Sequence, residues 1–160
     1  MNHDDDSEDS EEDFGVVVKN AWDQTFLSDS LLIFGSRHVP VNLSSIHPEP
    51  VHVFRMWQLY LDNVEPLVKV IHVPTFQARI IDAASNIQQV DPVLEALMFS
   101  IYAMAITSIT ADECLAMFGS PKSDLIARYQ FGCQQALLNS NFLRTSDREC
   151  LVALFLFMVR

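Results

Sequence analysis

Residues that break regular structure are scarce in this chain of 160 residues, which has 4 glycines and 7 prolines. So few breakers exclude a turn-rich β fold and leave room for long helices. Cysteine is scarce as well. Cys114, Cys133 and Cys150 are far apart, and each falls in an apolar helical pattern. An odd number without any C-x-x-C excludes a disulfide framework and a cysteine metal site of known spacing, and the thiols read as small buried hydrophobes in a reducing compartment. The sequence also lacks G-x-S-x-G, a glycine-rich phosphate loop and H-E-x-x-H, so no enzymatic activity is expected. Positive charge is short too, with 10 Lys and Arg against 21 Asp and Glu. No basic stripe is present to neutralise phosphates, so these residues are not expected to contact DNA. From Ala96 to Ala111 there is no charge, but the run falls short of the roughly 18–20 residues that a membrane span needs. It reads as a buried core helix, with no membrane partner.

The charge that is present is uneven. Residues 1–13 hold eight acids and no Lys or Arg, which leaves −3 of the total −11 for residues 14–160. Residues 1–13 are therefore expected to be a disordered acidic tail. Residues 14–50 read as an irregular lead-in in which Val16–Val18 and Leu31–Phe34 could form short strands and Pro40, Pro48 and Pro50 favour extended chain. His38, His47, His52 and His72 lie in or near this region. Their spacing suits partly exposed structural histidines better than a metal site.

From residue 51 on, the apolar period is helical. Phe54, Trp57, Leu61 and Val64 place one face on a helix over 51–64, widened by Met56 and Tyr60 and ended by Pro66. The aromatics on this helix read as plain core rather than a small-molecule pocket. Residues 67–74 are apolar, β-branched and bounded by prolines, which predicts an extended buried connector. Thr75 is expected to cap a helix over 76–89 whose face is Phe76, Ile80, Ala83, Ala84 and Ile87. Asp91-Pro92 opens a helix over 92–108. Thr110 with Glu113 forms a capping box, and Gly119 ends that helix. Ser120-Pro121 opens a helix over 121–138 that turns Leu125, Ile126, Tyr129, Cys133, Ala136 and Leu137 inward. Ser146 with Glu149 suggests a second capping box and a last helix that runs, apolar, to Val159 with no terminator. The acidic pairs Asp112-Glu113 and Asp147/Glu149 fall in first helical turns, where the helix dipole accounts for them. The expectation is an all-α fold of stacked helical hairpins, a fragment from the N-terminal part of a larger helical domain.

One stretch carries a resemblance. Residues 46–77, IHPEPVHVFRMWQLYLDNVEPLVKVIHVPTFQ, resemble the opening of the fungal-specific transcription factor domain, the middle homology region found downstream of Zn2Cys6 binuclear clusters. The positions that carry it are Trp57, Tyr60, Leu61, Asn63, Val64, Pro66, His72, Pro74 and Thr75. DPVLEALMFSIYAMAITSIT at 91–110 and QALLNSNFLRTSDRECLVALFLF at 135–157 are similar to later segments of that domain, so the likeness covers about residues 43–160. It implies a nuclear, non-catalytic regulatory region, over 51–160, of a transcription factor. In such proteins zinc and DNA are bound by a six-cysteine cluster that this sequence does not contain, and a full-length member can form a homodimer. Protein partners or a small effector are the binding partners it implies for the helical region. On this reading Asn63 caps helix carbonyls and His72 anchors the link by hydrogen bonds. The rival reading is a helical ligand-binding or scaffold protein unrelated to transcription.

Overall fold

A computed structural model describes residues 41–159. The strands expected at 16–18 and 31–34, the acidic tail and His38 lie outside the described residues. Within them are six α-helices and no strand: α1 (Pro50–Asn63), α2 (Val73–Ser85), α3 (Pro92–Thr107), α4 (Ala111–Phe118), α5 (Lys122–Asn139) and α6 (Arg148–Met158), with one turn of 3-10 helix at Ile87–Gln89 between α2 and α3. The all-α expectation holds.

Helix α3 is apolar on nearly every side and sits in the middle. Leu94 through Ala103, Ala105 and Ile106 are all buried. Its neighbours are α5, α6 and α1. A helix with no polar face cannot lie on a surface, so three others must cover it. Burying one large apolar side chain contributes about 1.5–3 kcal/mol, and α3 alone buries Leu97, Met98, Phe99, Ile101, Tyr102 and Ile106 almost completely. Its start is secured by Asp91, whose carboxylate accepts from the amides of Val93 (3.1 Å) and Leu94 (3.3 Å). Helix α5 approaches α3 closely because it presents Gly132. A Cβ at that position would lie 2.7 Å from the Phe99 ring.

Several ends follow the expected chemistry. Thr110 and Glu113 form the reciprocal capping box of α4, and Gly119 closes it in the left-handed region at φ 67°. Helix α5 ends in a motif the sequence reading did not anticipate. Asn141 adopts φ 53°, and the amides of Asn141 and Phe142 reach back to the carbonyls of Leu138 (3.1 Å) and Leu137 (3.3 Å). This is the Schellman pattern, with asparagine in the place that glycine usually takes.

Other expectations are corrected. On α1 the inward face is Val53, Met56, Trp57, Tyr60 and then Val64, while Phe54 is 41% exposed and Leu61 half-buried. Apolar residues cover so much of this helix that two phases satisfy the helical period. Helix α4 takes the flank that carries His52 and Arg55: the His52 ring lies 5.3 Å from that of Phe118, and Arg55 Nη1 donates to the carbonyl of Met117 at 3.2 Å. The connector after α1 is not buried. Leu67 is 83% exposed, and the chain makes one more turn, with the amides of Leu67 and Val68 donating to the Val64 carbonyl at 2.9 Å. Pro66 fits there because its fixed φ suits a turn. Helix α2 begins at Val73 with Pro74 in its first turn, so Thr75 lies inside the helix and does not cap it. Proline is already shaped for that first turn. Asp147, not Ser146, caps α6, its carboxylate accepting from the Glu149 amide at 2.8 Å.

Gly132→Ala is expected to destabilise the protein by about 1–3 kcal/mol, the usual cost of overpacking a filled core. Urea unfolding of the two proteins reads this directly, and an unchanged midpoint would contradict the close α3–α5 contact.

Candidate functional site

Among the described residues, three places bear on function. The first holds the positions that resemble a known domain, and the structure divides them. Trp57, Tyr60 and Val64 are core. The rings of Trp57 and Tyr60 stack at 5.8 Å, and Phe76 from α2 tilts against Trp57 at 5.2 Å. Trp57 Nε1, Tyr60 OH and Glu65 Oε2 are buried without a hydrogen-bond partner among the described residues. Pro66, His72, Pro74 and Thr75 are exposed. His72 Nδ1 and Thr75 Oγ1 are 2.7 Å apart. Asn63 caps no carbonyl; its amide donates to Ser108 Oγ at 3.0 Å and so ties the end of α1 to the end of α3.

The second place is a buried polar cluster on which the segment before α1 rests. Two α5 side chains hold that segment. Asn139 accepts from the Val41 amide (3.2 Å) and donates to its carbonyl (2.9 Å). Arg128 donates to the carbonyls of Ile46 (2.9 Å), Ser45 (3.2 Å) and His47 (3.4 Å). Leu43 is thereby 1% exposed, and His47 is buried rather than partly exposed. His47 Nε2 lies 3.1 Å from Glu95 Oε1, and its Nδ1 lies 3.5 Å from the Tyr102 hydroxyl. One neutral tautomer satisfies both contacts: Nε2–H donates to the carboxylate and the phenol donates to Nδ1. Phe99 tilts against the imidazole at 4.4 Å, and Tyr102 meets Tyr129 edge-on at 5.4 Å.

The third place is a cleft of ≈ 350 Å³ between the α1–α2 connector, α2, α3 and the start of α6. Val70, Ile71, Phe76, Leu97 and Val152 make it apolar, and its rim carries His72, Thr75, Asp147, Arg148 and Glu149. Glu149 is already paired with Arg79 of α2. Nothing in the sequence period pointed to this cleft, because its walls come from four separate elements. Among the described residues no group of three or more His, Cys, Asp or Glu is placed to hold a metal ion. Cys114, Cys133 and Cys150 are buried and form no disulfide among the described residues, with burial pushing the thiols of Cys114 and Cys150 up. Among those residues, too, no helix is long and apolar enough to cross a membrane.

Two outcomes follow from the buried cluster. His47→Ala strands the Glu95 carboxylate and should cost on the order of 3 kcal/mol in urea unfolding, whereas His47→Leu combined with Glu95→Met should recover most of that loss. Burial also raises the phenols of Tyr60, Tyr102 and Tyr129, the last to about 12. A phenol whose folded pKa exceeds its unfolded value of about 10 contributes stability that is whole below that pH and is lost as pH rises through the folded value. Stability should therefore fall between about pH 10 and 12. Circular dichroism recorded together with phenolate absorbance should show the helices lost as the buried tyrosines ionise. Free titration of all three phenols near pH 10 with the helices intact would contradict their burial.

No protein-family model matches the chain, and no solved structure does. Curated proteins do. The chain is 54% identical over 90% of its length to the transcriptional regulator AacuB of Aspergillus aculeatus, covering 20% of that protein. It is 43% identical over 97% of its length to the transcriptional regulator nsrM of Aspergillus novofumigatus, covering 23% of it. It is 30% identical over 74% of its length to the C6 finger domain transcription factor adaR of Aspergillus niger, covering 15% of it. The chain spans about a fifth of the length of the first two relatives. Over most of its length, therefore, it is homologous to a segment of fungal transcriptional regulators.

Proposed function

We propose that this chain acts in the regulation of transcription, as a non-catalytic helical region of a fungal Zn2Cys6-type factor working in the nucleus. The observation that carries the reading is the 54% identity to a transcriptional regulator over 90% of the chain. Residues 51–160 are read as part of the middle homology region, with residues 41–50 packed onto it. In this reading zinc and DNA are bound by a six-cysteine cluster in the full-length protein, and the helical region acts on that output through a protein partner or an effector. A buried core without a nucleophilic constellation suits restraint and recognition better than chemistry.

The test is a chimera. The matching segment of AacuB is replaced by residues 41–160 of this chain and the regulator is assayed on a reporter in its own host. Reporter output close to that of the parent is the expected result. A stable, soluble chimera that leaves the reporter silent would sink the reading. A separate check is elemental analysis of the purified 160-residue chain, in which stoichiometric zinc is not expected.

A further inference from the structure

The cleft between α2, α3 and α6 has a feature that the packing of the fold does not use. Its floor is closed by Phe76 and Leu97, which are 3% and 1% exposed. Its sides are Val70, Ile71 and Val152, all half-buried. At ≈ 350 Å³ it falls at the small end of the range in which proteins hold organic ligands. An apolar hollow of that size accepts a compact ring system.

The rim decides what else the ligand must carry. Two of its acids are committed within the protein: Asp147 caps the amide of Glu149, and Glu149 pairs with Arg79. Arg148 is exposed and spent on no partner among the described residues. Thr75 and His72, which also line the cleft, are bonded to each other through Oγ1 and Nδ1. With the hydroxyl donating, the imidazole proton sits on Nε2, which adds a second donor to the rim. A cation and a donor that answer to nothing in the fold are complementary to an acceptor of negative charge.

We propose that this cleft binds a small organic carboxylate with an apolar, ring-containing body: the rings lie on Phe76 and Leu97, and the carboxylate is held at the mouth by Arg148 with His72. The proposal deepens the regulatory reading by naming an effector class, and rests on that reading only for the use made of binding. Binding is read by itself, so failure of the chimera and failure of this site are separate results.

The probe is 1-naphthylacetate, with 1-naphthylacetamide as its neutral counterpart, titrated into the 15N-labelled full chain. The expected result is saturable amide shifts confined to Val70–Phe76, Leu97 with its immediate neighbours and Arg148–Val152, with the acid bound about tenfold more tightly than the amide. Arg148→Gln should bring the acid down to the level of the amide and leave the amide unchanged. Val152→Trp fills the hollow and should abolish both. Should that variant not fold, as its own spectrum will show, Ile71→Trp on the connector does the same work. Shifts that never saturate, shifts centred elsewhere, equal binding of acid and amide, or an Arg148→Gln variant that binds the acid as before would each overturn the assignment.

Discussion

The burial of α3 on all sides is the constraint that the other elements obey. An apolar helix without a solvated face demands cover, and the rest of the chain is arranged to supply it. Helix α1 lies on one flank, α5 presses close through Gly132, and α6 closes a third side. Even the polar groups of α3 are turned to this end. Ser100 donates to the carbonyl of Ala153 in α6 at 3.0 Å and lies 3.1 Å from Cys133 of α5. Glu95, buried near the start of α3, is matched by a histidine that arrives from a different part of the chain. Both of these polar side chains of α3 are met by a partner, as a packed interior favours.

Much of the helical layout was legible in the sequence because caps are local. Asp91-Pro92, Thr110 with Glu113, and Gly119 act over a few residues, and their chemistry does not depend on what packs nearby. The phase of α1 was not legible. Phe54 and Val53 both suit an inward face, and the choice falls to contacts of His52 and Arg55 with α4. A similar limit applies to the segment before α1. Prolines made it read as a bare lead-in, yet Arg128 and Asn139, some eighty to a hundred positions later, pin it to α5. Nothing near Val41 or Ile46 announces those partners.

The positions that resemble the transcription factor domain separate in the same way. Trp57 and Tyr60 stack in the core, and Trp57 meets Phe76 of α2. His72 and Thr75 stand at the mouth of the α2–α6 cleft, where an exposed pair contributes little to packing. One short stretch of sequence thus holds residues in two different settings, the core and the rim of a cleft. Similarity to fungal regulators covers both at once, and only the geometry tells them apart. The cleft itself had no sequence signal, since it exists only once four elements converge.

The paired bonds between Val41 and Asn139 join residues 98 positions apart. They act as a clasp. Closing so long a loop costs chain entropy that grows only slowly with length, and once it is closed the first described segment cannot peel away without disturbing the end of α5. Local fraying at that edge is thereby coupled to the helix that packs on α3. The clasp thus ties the segment before α1 to the C-terminal end of the helix that presses on α3 through Gly132.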